Sequence, residues 1–289
     1  MRLMSDKELK IGIVGHGFVG QATDWGFNKK TSKFIVDPKN GTNIDQLAEF
    51  DPELIFVCVP TPMGENGIQD SSIIEAVVQE LSAKCQESII VIKSTVLPSI
   101  LEKIEKTNTK IIYNPEFLRE KHANEDFMSS EMIIFGGDKD IASQVSKFYL
   151  DHSRCKTTQH IFLDISSASL IKYSINSFLA TKVLFFNEIH DVFNKLKNND
   201  DWKTFIETIS LDKRIGESHM DVPGHDGKKG FGGACFPKDT SALLKYARDI
   251  GVDLDVLKIA INKNNKIRSQ YTELGAREKE QNVSFDDKI

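Results

Sequence analysis

Residues Lys10–Gly20 read KIGIVGHGFVG, an apolar run that leads directly into a glycine-rich turn. The turn has the spacing GxGxxG and consists of Gly15, His16, Gly17, Phe18, Val19 and Gly20. In this pattern the first glycine allows a tight turn, the second lets the backbone approach a pyrophosphate, and the third lets helix and strand pack closely. The phosphates then face the N-terminus of the following helix. The stretch therefore predicts a dinucleotide-binding strand, turn and helix.

Asp37 supports this interpretation because it directly follows the second apolar run, Phe34–Val36, at about the expected distance from the glycines. A carboxylate there accepts hydrogen bonds from the adenosine ribose, and its charge repels a 2′-phosphate. We therefore expect NAD and not NADP, although Lys39 lies close by. His16 is expected to be a spacer in the turn, and a glycine turn without a ligand is the alternative.

Short apolar runs rich in Ile and Val recur through the first half of the chain, separated by helical patterns such as Ser71–Ala83 and Ile100–Lys106. The runs are Ile11–Val14, Phe34–Val36, Leu54–Val59, Ile89–Ile92, Ile111–Tyr113 and Met132–Phe135. Nearly continuous apolar runs are typical of buried parallel strands, and their alternation with helices is typical of α/β folds. We predict a Rossmann-type, doubly wound parallel sheet over residues 1–163.

The chain changes character after Asp164. No Gly or Pro interrupts Ile165–Lys197, and apolar residues recur there at spacings of mostly three and four. This pattern predicts one long amphipathic helix, which also offers a dimer interface. Two further helices are predicted over Asp239–Ile250 and Asp253–Ala276, and the polar tail beyond them is expected to be frayed. Residues 164–289 are thus predicted to form an all-helical domain.

The composition excludes several classes of protein. The 289 residues are 40% hydrophobic and 27% charged with a net charge of -5, which argues against a nucleic-acid partner. No apolar stretch approaches ~20 residues, and none follows the first charged residues, so neither a membrane span nor a signal peptide is expected. Cys58, Cys85, Cys155 and Cys235 are far apart, which disfavours bound metal and disulfides. We expect reduced thiols in a cytoplasmic protein.

Cys235 differs from the other three thiols because of its neighbours. Gly230–Thr240 read GFGGACFPKDT, and Pro237 is a residue favoured at the start of a helix. A thiolate at a helix N-terminus is stabilised by the helix dipole and free N–H groups. Asp239 lies on the same side of the first turn, where it could orient or deprotonate a water. The pattern favours a nucleophilic thiol over a small buried core residue.

Lys172 and Asn176 lie four residues apart on the long helix and therefore share one face. Together they could hold an oxyanion, but helical spacing alone favours an ordinary solvated pair. The loop from Gly216 to Gly233 contains six glycines, and long glycine-rich loops inside a domain are usually functional.

At these residues the sequence resembles the UDP-glucose/GDP-mannose dehydrogenase family. Seven motifs match in chain order over most of the chain, and the last is the most diagnostic. They are GHGFVG, CVPTP (Cys58–Pro62), KSTV (Lys93–Val96), NPEFLRE (Asn114–Glu120), the Lys172 and Asn176 helix ending near FNE (Phe186–Glu188), RIG (Arg214–Gly216) and GFGGACFPKD (Gly230–Asp239).

The resemblance implies the roles of the catalytic residues. Cys235 matches the family's nucleophile, and Lys172 and Asn176 match the pair that steadies the oxyanion intermediates. Asp239 matches the acid that helps a water or the lysine. Thr95 and Glu116 match residues placed around the catalytic water. Glu116 is in addition the match for a proposed general acid/base.

The resemblance also implies the binding residues. Those for NAD are Gly15, His16, Gly17, Phe18, Val19, Gly20, Asp37, Val59, Pro60, Thr61, Ser94, Thr95, Glu120 and Lys238. Those for the substrate are Glu116, Phe117, Leu118, Lys172, Asn176, Arg214, Gly230, Phe231 and Gly232. Arg214 matches an arginine that reaches a substrate, in some members across a homodimer.

The implied reaction oxidises the C6 primary alcohol of a nucleotide sugar to the uronic acid in two hydride transfers to NAD, a step of polysaccharide biosynthesis. The intermediate aldehyde forms a thiohemiacetal with Cys235, and the resulting thioester is hydrolysed. UDP-glucose is the first expectation for the substrate, with GDP-mannose and UDP-N-acetylmannosamine as alternatives.

Family members normally carry a further α/β domain that grips the nucleotide, and the sequence holds no strand-rich segment for it after the last predicted helix. We expect a two-domain chain, and a partner chain could supply the missing domain. Weaker binding of the nucleotide could lower turnover as well as affinity. The loop between Arg214 and Gly230 is longer than in family members with the short spacing, and Lys228 and Lys229 in its Pro223–Lys229 stretch are hypothesised to replace some phosphate contacts. A two-electron β-hydroxyacid dehydrogenase and a non-catalytic NAD-binding subunit are the competing interpretations.

Overall fold

The apolar runs of the first half form a seven-stranded sheet in the computed structural model, which describes residues 8–197 and 199–285. The strands are β1 (Leu9–Val14), β2 (Thr31–Val36), β3 (Leu54–Val57), β4 (Ile89–Ile92), β5 (Ile111–Tyr113), β6 (Ile133–Gly137) and β7 (His160–Leu163). Their order is β2-β1-β3-β4-β5-β6-β7. The order reverses between β1 and β3, and ligands of such sheets bind at this point, beyond the carboxyl ends of the strands.

The predicted doubly wound sheet is confirmed, with one difference in strand direction. Neighbouring strands from β2 to β5 are parallel, whereas β6 pairs antiparallel with β5, and β7 pairs parallel with β6. An apolar run indicates burial on both faces but does not encode direction, and doubly wound sheets commonly carry antiparallel strands near an edge.

Adjacent residues of the central strands explain why their sequences are continuously apolar. In β3, Ile55 and Val57 belong to one buried cluster, while Leu54 and Phe56 belong to another. Successive side chains of a strand point to opposite faces, so a sheet covered on both faces needs apolar residues at every position. Six helices accompany the strands: α1 (Phe18–Gly26), α2 (Ile44–Phe50), α3 (Ser72–Lys84), α4 (Pro98–Glu105), α5 (Ala123–Ser129) and α6 (Lys139–His152).

Two compact units make up the chain, and the division falls within the long helix α7 (Ile165–Phe193). The first unit comprises the chain up to Thr61 together with Asp70–Lys172, and the second comprises Pro62–Gln69 together with the chain from Tyr173. The helices that follow α7 are α8 (Trp202–Ser210), α9 (Phe236–Asp249), α10 (Asp255–Arg268) and α11 (Ala276–Glu280). No helix among the described residues is long and apolar enough to span a membrane.

The long helix ends four residues before its predicted end at Lys197. Phe193 packs against Trp202 at the start of α8, with ring centroids 5.5 Å apart. Leu196 is 56% exposed, so another helical turn would bury little apolar surface there. The apolar spacing therefore predicted the helix correctly but overran its last turn.

The prediction for the end of the chain was wrong in two respects. The helix predicted over Asp253–Ala276 ends at Arg268, and the tail forms α11 and is packed, not frayed, as far as it is described. Glu278, Val283 and Phe285 are all buried. Glu278 accepts a hydrogen bond from the backbone N–H of Gly275, which starts α11 (2.7 Å). A charged composition hid this segment, because its few buried residues are separated by exposed ones. Residues 286–289 lie outside the described residues.

Candidate active site

The glycine-rich turn after β1 has a backbone that needs its glycines. Gly15 has a φ of +87°, and a Cβ there would lie 2.7 Å from the carbonyl oxygen of Cys58. A Cβ on Gly20 would lie 2.0 Å from the carbonyl oxygen of Gly15. A Cβ on Gly17 would have no heavy atom of other residues within 4 Å, so the backbone before α1 is open to an incoming group. This geometry fits a pyrophosphate at the start of α1.

Asp37 lies beside this turn at the end of β2. Its Oδ2 accepts a hydrogen bond from the backbone N–H of His16 (2.8 Å), and its Oδ1 accepts one from the backbone N–H of Lys39 (2.9 Å). These two bonds, with the His16 bond the stronger cause, lower the pKa of Asp37. The carboxylate is therefore ionised at neutral pH and keeps acceptor capacity for ribose hydroxyls. The His16 ring turns away to Asp24, 3.2 Å from Oδ2.

The segments after β3 and β4 are tied together by side-chain hydroxyls. The Thr61 hydroxyl donates to the carbonyl oxygen of Thr95 (2.9 Å), and the Ser94 hydroxyl donates to that of Val59 (2.6 Å). Thr61 and Ser94 are buried, whereas Pro60 is exposed. The structure thus brings together the predicted residues of CVPTP and KSTV at the carboxyl ends of neighbouring strands.

Lys172 is bound to the segment that carries Glu116. Its ammonium group donates to the backbone carbonyl oxygen of Glu116 (2.6 Å) and lies 3.9 Å from Oε1 of the same residue. It also lies 5.0 Å above the Phe117 ring. Oε2 of Glu116 accepts a hydrogen bond from the backbone N–H of Leu118 (2.6 Å). The Lys172 side chain is buried, and that of Glu116 is 10% exposed, so an ordinary solvated position does not describe this lysine.

Lys93 is a buried residue of this region for which the sequence suggested no role. Its Nζ donates to Oδ1 of Asn114 (2.9 Å) and to the hydroxyl of Tyr149 (3.3 Å). Burial lowers the pKa of Lys93. Lys93 lies two residues before Thr95, and Asn114 lies two residues before Glu116, so their bond joins the two segments. The available signal was a lysine directly after the buried run of β4.

The second unit places Cys235 directly before the first residue of α9, with an exposed side chain. The carboxylate of Asp239 is buried in the first turn of this helix. It accepts hydrogen bonds from Nδ2 of Asn176 (2.6 Å) and from Nζ of Lys238 (2.6 Å). The structure therefore joins three predicted residues, Asn176, Lys238 and Asp239, at the start of the helix that follows the thiol.

The glycine-rich loop before Cys235 is held by side chains that the sequence analysis missed. The backbone N–H of Gly230 donates to Oδ1 of Asn187 (3.0 Å). The backbone N–H and carbonyl of Phe231 both bond to the side-chain amide of Asn264, at 2.7 and 2.9 Å. Asn187 belongs to the FNE motif, which was the only sequence signal for this contact.

Two predicted residues are not brought into these clusters. The Arg214 side chain is 89% exposed and pairs with the carboxylate of Asp212 (2.5 Å). For Glu120 the structure describes the backbone, at the start of a 3-10 turn, and its side chain lies outside the described part. Roles for both in binding stay predictions.

The two lysines hypothesised to bind phosphate have other acceptors in the same unit. Nζ of Lys228 donates to the carbonyl oxygen of Glu273, and Nζ of Lys229 donates to Oδ1 of Asp191, each at 2.5 Å. A phosphate at either lysine would therefore compete with an existing partner.

Comparisons with known proteins identify the family of the chain. Residues 42–151 match the profile of the UDP-glucose/GDP-mannose dehydrogenase family, NAD binding domain, and residues 166–266 match that of the central domain. UDP-glucose 6-dehydrogenase of Rickettsia bellii is 35% identical over 74% of this chain and 49% of its own length. That of Rhizobium meliloti is 34% identical over 74% of this chain and 51% of its own length. The chain thus spans about half the length of these relatives.

Solved structures share the fold. A UDP-glucose dehydrogenase from Pyrobaculum islandicum has a TM-score of 0.76 at 24% identity, over 92% of this chain and 70% of that one. The 3-hydroxyisobutyrate dehydrogenase of Mycobacterium tuberculosis has a TM-score of 0.63 at 14% identity, over 92% and 96%. Two kinds of dehydrogenase therefore share this fold, and the family follows from the sequence profiles. With the NAD-binding and central domains matched in order, the chain belongs to the UDP-glucose/GDP-mannose dehydrogenase family, and its cofactor is NAD.

Proposed function

We propose that this chain oxidises the C6 primary alcohol of a nucleotide sugar to the uronic acid, using Cys235 as a covalent nucleophile. One observation carries the proposal: the Cys235 thiol is exposed at the start of α9, where Asn176, Lys238 and Asp239 form a buried bonded group. An exposed thiol at a helix N-terminus is placed for nucleophilic attack. The named relatives make UDP-glucose the first substrate to test.

The Gly15–Gly20 turn and Asp37 would hold NAD, which when bound would accept the hydride in each of the two oxidations. The chain's residues carry out the remaining chemistry. The Cys235 thiolate adds to the aldehyde carbon, forming a C–S bond while the carbonyl electron pair moves to oxygen. Removal of hydride leaves a thioester, and water then cleaves the C–S bond and returns the thiol. The balance is one alcohol, two NAD⁺ and one water giving one carboxylate, two NADH and three protons.

Lys172 and Asn176 are proposed to stabilise the negative charge on the substrate oxygen. An ammonium group has three donors and an amide nitrogen has two, so each keeps donor capacity beyond the bonds to Glu116 and Asp239. Buried donors stabilise a developing oxyanion better than water does, because they are already oriented. Glu116 and Thr95 are proposed to handle the attacking water and its protons.

Asp239 is proposed to act first by orientation. Both of its carboxylate oxygens are engaged by neighbours, one by Asn176 and the other by Lys238. A carboxylate bound in this way is better placed to fix the position of the Asn176 amide than to accept a proton from water. Its contribution to activating water would therefore be smaller than its contribution to the geometry of the oxyanion donors.

The test is the ratio of NADH formed to sugar consumed, for UDP-glucose, GDP-mannose and UDP-N-acetylmannosamine. We expect two NADH per uronic acid from one of them. Cys235→Ser should form no acid and lose on the order of 10³-fold or more in kcat, because the hydroxyl is a far weaker nucleophile. Cys155→Ser, a half-buried thiol of the first unit, is the matched control and should retain the ratio.

Two other results would each replace this proposal. One NADH per substrate, unchanged in Cys235→Ser, would indicate a two-electron dehydrogenase, a class that shares the fold. Bound NAD with no NADH formed from any sugar nucleotide would indicate a non-catalytic subunit. Isothermal titration with NAD separates this last result from a misfolded preparation.

A further inference from the structure

The loop that presents Cys235 is built from turns and bends between Gly216 and the start of α9. Loops of this kind take their position from whatever satisfies their backbone groups. Gly230 and Phe231 are held by the side-chain amides of Asn187 and Asn264, as described above. Nearest to the thiol, the backbone N–H of Gly233 donates to Oε1 of Glu278 (3.0 Å). Glu278 therefore acts two residues away from Cys235 in the chain.

Glu278 is itself fixed by a buried ion pair. Its side chain is 4% exposed, and Oε1 also accepts from Nη2 of Arg268 (2.8 Å). Arg268, 2% exposed at the end of α10, donates through Nη1 to Oδ2 of Asp226 (2.7 Å). The other oxygen of Glu278 accepts from the backbone N–H of Gly275. The carboxylate thus has donors on both oxygens and one defined orientation.

The loop lies directly against this pair. A Cβ added to Gly232 would lie 2.2 Å from Nη2 of Arg268 and 2.6 Å from Oε1 of Glu278. Gly233 has a φ of +77°, in the left-handed region that favours glycine. Gly232 is therefore required by the approach to Arg268 and Glu278, and Gly233 by its backbone conformation. Burying two charges carries a large desolvation cost, so the pair is weak as a source of stability and better explained by the geometry it imposes.

We propose that Glu278, oriented by Arg268, is a positioning residue for the Cys235 thiol. It fixes the Gly233 amide and with it the turn that sets Cys235 at the N-terminus of α9. The proposal rests on the proposed role of Cys235 as the nucleophile. Arg268 and Glu278 both lie outside the two stretches matched by the family profiles, residues 42–151 and 166–266.

The experiment measures Cys235 directly. Intact folded protein is treated with iodoacetamide, and the rate of alkylation at Cys235 is read by peptide mass spectrometry. The variants are Glu278→Ala, which removes the acceptor, and Glu278→Gln, which keeps an oxygen for the Gly233 amide. Glu280→Ala is the matched control, because Glu280 lies on the same helix, is exposed and pairs with Arg277.

We expect Glu278→Ala to slow alkylation of Cys235 about fivefold or more at neutral pH. The thiol is already exposed, so a looser loop adds no access, whereas a displaced thiolate loses the stabilisation that a helix N-terminus provides. Glu278→Gln should stay within about twofold of the unchanged protein, as should Glu280→Ala. Deuterium uptake of the Gly230–Cys235 peptide should rise in Glu278→Ala alone.

Three outcomes would overturn the proposal: an unchanged rate in a folded Glu278→Ala protein, equal slowing in the Ala and Gln variants, or equal slowing in Glu280→Ala. If Glu278→Ala does not fold, the deuterium uptake of Glu278→Gln tests the proposal instead. Increased uptake of the Gly230–Cys235 peptide in Glu278→Gln would contradict the proposed bond to the Gly233 amide. Alkylation needs no turnover, so these results stand even if no sugar nucleotide is oxidised. Where the chain is active, Glu278→Ala should lower kcat and leave the KM for NAD unchanged.

Discussion

At the scale of single residues, the first unit holds ionisable groups in apolar surroundings. The ammonium group of Lys93 is buried and bonds to neutral oxygens of Asn114 and Tyr149. Burial lowers the pKa of Lys93, since desolvation disfavours its charged form. Lys93 interacts there with Cys58, the buried first residue of the CVPTP segment, which directly follows β3. The bond between Lys93 and Asn114 joins the carboxyl ends of the neighbouring strands β4 and β5.

The buried thiol of Cys58 makes stability depend on alkaline pH. Burial raises the pKa of Cys58 to about 12, above its value in an unfolded chain. The folded chain therefore keeps a proton that the unfolded chain loses from about pH 9 upward, and this contribution to stability disappears as the pH approaches about 12. We expect it to lower the free energy of unfolding by about 2 kcal/mol between pH 7 and about pH 10.5, at 1.36 kcal/mol per unit.

Urea unfolding of the unchanged protein and Cys58→Ala at both pH values measures this contribution. The pH 7 pair is the internal control, because the thiol is protonated there in both states and the difference reports packing alone. Cys58→Ala should lose about 2 kcal/mol less than the unchanged protein on going to the higher pH. Parallel losses in the two proteins would show that the thiol ionises readily in the folded chain.

Which site residues could be predicted depended on how local their signals are. The Gly15–Gly20 turn and Cys235 could be singled out because strand, turn and helix start lie within a few residues of each other, and Asp37 because it follows the second apolar run at the distance that the glycine pattern predicts. Lys93 and Glu278 were missed because their partners are distant in sequence: Asn114 is 21 residues from Lys93, and Gly233 is 45 residues from Glu278. A single sequence carries no signal for such pairs.

At the scale of elements, periodicity predicted which segments are helices better than where they end. Apolar spacing placed the start of α9 at Asp239, whereas Pro237 indicated an earlier start directly after Cys235, and the helix does begin at Phe236. The predicted single helix is divided into α10 and α11, and Arg268 at the end of α10 pairs with Glu278 of α11, ten residues later. Apolar spacing carries no signal for such a buried ion pair. The end of α9 at Asp249 lies within one residue of its prediction.

The first turn of α9 should be sensitive to the charge of Asp239. Asp239→Asn offers one oxygen in place of two and removes the negative charge to which Lys238 and Asn176 bond. Losing one partner of a buried charged pair costs about 3–5 kcal/mol, so we expect a fall of that order in the free energy of unfolding. Urea unfolding measures the fall, and kcat should drop with it where the chain is active.

Asp249→Asn is the control at the other end of the same helix. Asp249 is 57% exposed and pairs with Lys245 one turn earlier, a kind of pair worth about 0.3–0.5 kcal/mol. The two substitutions change the same chemical group, so the difference between them isolates burial. Similar effects of both would mean that solvent reaches the start of α9 and screens Asp239.

At the scale of the whole molecule, the fold does not determine which reaction is catalysed. A likeness to a 3-hydroxyisobutyrate dehydrogenase over 96% of that chain shows that this fold is not tied to one reaction. The proposed chemistry rests instead on the loop of the second unit that presents Cys235, held by Asn187, Asn264 and Glu278. The fold class was predictable from strand and helix patterns alone, whereas the chemistry that we propose depends on the thiol and its neighbours.

The second unit also carries an exposed apolar stripe that predicts self-association. Phe178, Phe185 and Val192 follow one another at intervals of seven along α7 and are 64%, 56% and 58% exposed. Residues seven apart drift only ~20° around a helix, so the three side chains form one face, as in a coiled-coil seam. A homodimer through this face would remove the three side chains from water, which stabilises the dimer by roughly 25 cal/mol per Å² of apolar surface buried.

We therefore expect a dimer by size-exclusion chromatography with light scattering. Phe178→Ser/Phe185→Ser should be monomeric, whereas Leu211→Ser, at a site 80% exposed beyond α8, should remain dimeric. A monomeric unchanged protein, or a double variant that stays dimeric, would contradict an interface on this stripe.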